Sequence, residues 1–217
     1  MQAPATSGQG SVSDVRLFHG GVFLLVMAVG LIVPVLRTWP WIWLAPLLGY
    51  AFFVAVTPSL RSSISWLHVG RCSRKTMGVT FLIVAGTSLV LIAFSIVMHP
   101  EVREVREAVP FTALGGPILA GAIFAVTNAV LEESVFRGVL FDALQSQWGA
   151  QGALISSSLL FSFGHLHGYP PGYAGALLAA VFGGLMAWLR LWTGGLGLPI
   201  LAHIAADATI YWIVIHS

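Results

Sequence analysis

The run from 77 to 98 carries no charged side chain, and runs of similar character recur along most of the chain. A membrane-spanning helix needs about 20 mainly apolar residues. Segments 17–36, 41–57, 77–98, 111–144, 152–165, 174–191 and 200–215 meet or approach that requirement. Charged residues make up 8% of the chain and hydrophobic ones 57%, whereas an ordinary soluble domain carries about 25% charged residues. So few charges cannot cover a water-facing surface. Strand-length alternation of polar and apolar residues, the mark of a transmembrane barrel, is missing. The expected fold is all-α, a polytopic transmembrane helical bundle of about seven spans, roughly six to eight.

The connections add orientation. Trp39, Trp41, Trp43 and Trp192 stand at segment ends, where interfacial aromatic belts sit. The polar stretch 1–16 is expected to be a disordered tail, and it lacks the basic start of a cleavable signal peptide. The longest polar connection, 58–75, carries Arg61, Arg71, Arg74 and Lys75 and no acid, which assigns it to the cytoplasmic side. The stretch 99–110 mixes Glu101, Arg103, Glu104, Arg106 and Glu107 and reads as a short interfacial helix with local ion pairs. Cys72 is the single cysteine, a loop thiol that permits no disulfide within the chain. The formal charge of +2 gives no reason to expect a nucleic-acid partner.

Against this background the stretch LEESVFRGVL, residues 131–140, is anomalous, with Glu132, Glu133 and Arg137 inside an apolar segment. A charge at bilayer depth costs at least about 2.5 kcal/mol, so such residues are functional candidates by default. Glu133 and Arg137 are one helical turn apart and can pair. Glu132 is rotated by about 100° from Glu133 and needs a different partner. Asn128 lies one turn before Glu132. In the next segment Phe161 sits one turn from His165, and in the last His203 sits one turn from Asp207. A histidine alone is most simply a satisfied core side chain. An unpaired glutamate, two histidines and an aspartate on three segments point instead to a shared site. His167 reads as interfacial in a turn, and His19, His68, His99 and His216 lie near span ends, where imidazole is well tolerated.

Three chemistries fit such a site. In hydrolysis, Glu132 is the general base on a water that His165 helps to position, and His203, held by Asp207, donates to the oxyanion. In the second, Glu132, His165 and His203 form a zinc shell of two histidines and a carboxylate, although H-E-x-x-H is missing. The third is proton or ion transport.

The three motifs also occur in a known order. "EESVFR" fits E-E-x-x-x-R, "FSFGH" fits F-x-x-x-H, and "HIAAD" fits H-x-x-x-N/D. Over 111–215 the chain resembles the CPBP family, the CAAX-protease and bacteriocin-processing intramembrane endopeptidases, also called the Abi family. The resemblance implies a glutamate-dependent peptidase without a cofactor. In it Glu132 and His165 activate water, His203 and Asp207 stabilise the oxyanion, and Glu133 and Arg137, with Asn128 and Phe161, support the site. Zinc is the alternative cofactor, and an immunity or scaffold protein without proteolysis is the alternative function. Asp207 stands where the eukaryotic prenyl-protein branch has Asn, and an ionised Asp is a poor oxyanion donor. The implied partners are membrane lipid and a membrane-anchored protein or peptide, and the implied setting is a bacterial plasma membrane. On this reading the chain divides into the tail 1–16, the transmembrane helices and basic loop 17–110, and the catalytic membrane core 111–217.

Overall fold

The computed structural model of the chain describes residues 9–30, 32–108, 115–166 and 168–217. His167 and the start of the fourth apolar segment, 111–114, lie outside the described residues. The described residues form helices and irregular connections only. In order they are α1 (Gln9–Gly30), α2 (Trp41–Val56), α3 (Pro58–Arg61), α4 (Arg74–Met98), α5 (Arg103–Ala108) and α6 (Pro117–Glu133), followed by a π-helical segment (Ser134–Leu140), α7 (Phe141–Gly164), α8 (Gly172–Thr193) and α9 (Gly197–His216). A short 3₁₀ turn, Pro34–Arg37, precedes α2. The stretch 9–16, expected to belong to a disordered tail, is helical and part of α1. Residues 1–8 of that tail lie outside the described residues.

Four helical stretches among the described residues are long and apolar enough to cross a membrane: Arg74–Met98, Pro117–Gly164, Gly172–Thr193 and Gly197–His216. Val15–Val29 and Trp41–Val56 are apolar but shorter. Helix length therefore yields fewer spans than the expected seven. Part of the difference comes from the fourth and fifth apolar segments, which join into one helical run of 48 residues. That run is broken at Gly149 (φ 66°, ψ −176°), a conformation that glycine adopts without a Cβ penalty. The periodic pattern has no proline there to announce the break.

Packing follows the apolar faces. α6 lies on α9, α7 on α8 and the π-helical segment, and α1 on α2 and α7. The largest core cluster joins Phe23 of α1, Tyr50 of α2, Val135, Phe136 and Val139 of the π-helical segment, Phe161 of α7 and Ala179 of α8. α4 is different. Its start is fixed by a capping box between Ser73 and Thr76, yet only 6% of its apolar window is buried. It rests along α9 and touches α8. The exposed α5 carries the expected local ion pair, Arg103 to Glu107 at 2.8 Å.

The basic connection is held to the body by backbone. The amides of Leu196 and Gly197 donate to the carbonyls of His68 and Val69, and Arg71 donates its amide to Thr193. This approach needs glycine, because a Cβ on Gly195 would overlap the backbone nitrogen of Gly70. Cys72 lies exposed in this connection.

Candidate active site

The sequence places Glu133 and Arg137 one turn apart, and the two side chains meet. Arg137 Nη1 lies 3.1 Å from Glu133 Oε1, and both side chains are fully buried. The backbone between them is π-helical rather than α-helical. The guanidinium also lies over the ring of Phe161, 4.3 Å from its centroid, a cation–π contact that helps a desolvated charge.

Glu133 does more than pair with Arg137. Its Oε1 accepts a hydrogen bond from His203 Nδ1 at 2.8 Å. A carboxylate only accepts, so the Nδ1 proton is fixed on the Glu133 side and Nε2 is left facing the remaining acids. Glu132 Oε2 stands 3.6 Å from that Nε2, and Asp207 Oδ1 stands 3.7 Å from it. The neighbouring acid on α9, one turn away, is therefore not the group that holds His203 by a hydrogen bond. The holder comes from α6, 70 residues away in sequence. Asp207 is held in turn by Asn128, whose Nδ2 donates to Oδ2 at 3.2 Å.

Among the described residues Glu132 Oε2 is buried without a hydrogen-bond partner. Such groups are rare and call for an explanation. Glu133 Oε2 and the three guanidinium nitrogens of Arg137 share that state, so these atoms without hydrogen bonds gather in this one cluster.

His165 caps the end of α7. Its Nδ1 donates to the Phe161 carbonyl at 2.9 Å, so a neutral ring presents Nε2 as an acceptor. The Phe161 ring serves both imidazoles, with centroids 4.2 Å from His165 and 5.9 Å from His203. His165, His203 and Asp207 all line one cavity of about 420 Å³, whose other walls are mostly apolar residues of α4, α8 and α9, with Phe161 of α7 and Tyr169 and Pro170 of the turn before α8. Glu132 does not line it and lies behind His203. Among the described residues no three His, Cys, Asp or Glu side chains are gathered as ligands for a metal ion.

Two contributors were not legible as such. Trp39, read from sequence as a belt residue, donates its indole N–H to Asn128 Oδ1 at 3.2 Å. It thereby fixes which end of the amide faces Asp207. Phe182 of α8 meets His203 edge-on at 5.2 Å. Neither carries a charge or a motif that would single it out. His19, expected near a span end, is buried and bonded to Tyr50 and Ser63 at 2.8 Å each.

An apolar helical bundle with several helices long enough to cross a membrane and ionisable side chains buried together next to an apolar cavity has the character of a polytopic membrane protein, and buried ionisable groups in such proteins are candidate functional sites. Residues 114–209, a little under half of the chain, match the family model described as Type II CAAX prenyl endopeptidase Rce1-like. The match spans every residue of the cluster except Trp39. No curated protein matches the chain, and no solved structure matches it.

Proposed function

We propose that the chain is a glutamate-dependent intramembrane endopeptidase that cleaves a membrane-anchored protein or peptide near its terminus, with Glu132 as the general base. The observation that carries this reading is the free, buried Oε2 of Glu132 beside His203, in a cluster that opens through two imidazoles onto an apolar cavity. Glu132 takes a proton from a water that His165 Nε2 orients. The oxygen of that water bonds to the scissile carbonyl carbon, and the carbonyl oxygen becomes an oxyanion. His203 in its imidazolium form donates from Nε2 to the oxyanion, with Glu133 holding Nδ1. The C–N bond then breaks, and the proton on Glu132 passes to the leaving nitrogen. The sum is one water added across one peptide bond, with the enzyme returned to its starting state.

The cavity supports an apolar anchor as the substrate's recognition element. Its walls include Leu82, Val90, Leu178 and Leu185, and α4, which closes one side, is the least buried of the four long apolar helical stretches among the described residues. A lipid-borne or helical anchor can approach in the plane of the membrane at this side without crossing water.

The test is a comparison of membrane-protein C-termini between cells carrying the active chain and cells carrying Glu132→Gln. The expected result is one or a few proteins shortened only with the active chain. Identical termini in both would favour an immunity or scaffold protein that has kept the fold.

A further inference from the structure

A second polar cavity, of about 480 Å³, lies where α1, α7 and α8 meet the basic connection. Its walls include Arg16, Ser65, Trp66, Asp142, Gln145 and Arg190. It shares no lining residue with the apolar cavity, and Arg190 is about 12 Å along α8 from Phe182.

Its charges do not balance. Among the described lining residues Asp142 is the single acid, and it faces two guanidiniums. Arg16 Nε stands 3.6 Å from Oδ2 and Arg190 Nη2 stands 3.6 Å from Oδ1. The hydrogen bond to Asp142 comes instead from Ser65 Oγ, at 2.6 Å on Oδ1. At 3.6 Å an N–H to oxygen contact is outside the hydrogen-bond range. Arg190 is buried, with its guanidinium carbon 4.2 Å from the Phe141 ring centroid. Each guanidinium offers five N–H donors, and among the described residues neither has an acceptor at bonding distance. A cavity walled by an excess positive charge and unused forks is built for an anion.

Its position narrows the anion. The cavity reaches Gly194 and Gly195, the turn to which the basic connection is pinned. Arg71 there donates to the Trp192 carbonyl at 3.2 Å, Lys75 lies 6.0 Å from the Trp192 ring, and Trp188 stacks on Trp192. Cations and indoles gathered at one end of a helical bundle mark the headgroup level. Basic pockets between helices at that level suit lipid phosphates. Two guanidiniums from different helices also match the several oxygens of a phosphate better than a single carboxylate.

We infer that this cavity binds a phosphate group, carried by an anionic membrane lipid or free in solution.

The test uses the full chain in nanodiscs of phosphatidylcholine alone or mixed equally with phosphatidylglycerol. Native mass spectrometry reads the lipid retained on release, and inorganic phosphate is titrated in the phosphatidylcholine discs with thermal stability as the readout. The variants are Arg16→Gln, which removes the more exposed cation, and Gln145→Glu, which adds a negative charge and leaves the Asp142 contacts in place. Helical circular dichroism and melting in phosphatidylcholine discs check that each variant folds. Wild type should retain phosphatidylglycerol over phosphatidylcholine by about tenfold, the scale of one charge-assisted hydrogen bond, and both variants should lose that preference. Stabilisation by inorganic phosphate, competing with the lipid, would assign the site to free phosphate. Retention without any effect of phosphate would assign it to lipid. Three results would overturn the inference: no preference and no phosphate effect, a preference that survives Gln145→Glu and so comes from the surface loop, or stabilisation by acetate or a peptide carboxylate where phosphate gives none.

Discussion

His203 and Glu133 are joined by a 2.8 Å hydrogen bond between Nδ1 and Oε1, and the same oxygen lies 3.1 Å from Arg137. One carboxylate thus ties α9 to α6 and to the π-helical segment that follows it. The residue that holds the imidazole Nδ1 of the proposed oxyanion donor is also the counter-ion of a fully buried arginine.

Glu133→Gln removes the negative charge opposite Arg137 and keeps the shape. Breaking one side of a buried pair costs about 3–5 kcal/mol, because the other charge is left without compensation. Thermal unfolding of the purified variant in detergent should show a loss of that order. The double variant Glu133→Leu with Arg137→Met should lose less stability than Glu133→Gln alone. A double variant that is less stable than the single one would contradict this account of the pair.

Glu132→Gln should separate activity from stability. Its Oε2 has no hydrogen-bond partner among the described residues, so an amide there breaks no hydrogen bond made by that oxygen. An amide cannot take the proton from water at neutral pH, and general-base catalysis contributes about 10²–10⁴-fold. Turnover should fall by at least that factor while the melting temperature stays near wild type. A fall in stability as large as that of Glu133→Gln would mark Glu132 as structural.

Gly86 lines the apolar cavity from α4, and a Cβ there would meet nothing within 4 Å. Gly86→Leu should fold normally and fill part of the cavity. For a substrate with a bulky apolar anchor, kcat/KM should fall about 10–200-fold, the range by which apolar pockets discriminate small changes in size. An unchanged kcat/KM would move the anchor elsewhere.

Metal content distinguishes the glutamate reading from the zinc reading. The donors Glu132, His165 and His203 are not gathered as ligands. The expected result is activity that survives a chelator in protein with less than stoichiometric zinc. Activity lost on chelation and restored by zinc would require the three side chains to rearrange around an ion.

Much of the candidate site was legible because membranes penalise charge. Glu132, Glu133, Arg137, His203 and Asp207 stood out by residue type alone in a chain with 8% charged residues, and the spacing of Glu133 and Arg137 was enough to pair them. The rest was not local. The spacing of His203 and Asp207 suggested that they hold each other, but the hydrogen bond to His203 comes from Glu133, and Asp207 is bonded to Asn128. Trp39 resembled any belt residue until α6 brought Asn128 to its indole.

The sequence by itself determined an all-helical apolar chain with ionisable groups on three segments, because helical periodicity and the cost of burying charge act within one turn of backbone. The tertiary structure decided which carboxylate serves which imidazole, that α6 and α7 join through a π-helical segment with a break at Gly149, and that two arginines share Asp142 in a second cavity. Those outcomes depend on how helices far apart in sequence pack against each other. Contacts of that kind are set by the shape of the whole bundle, and short-range spacing carries no record of them.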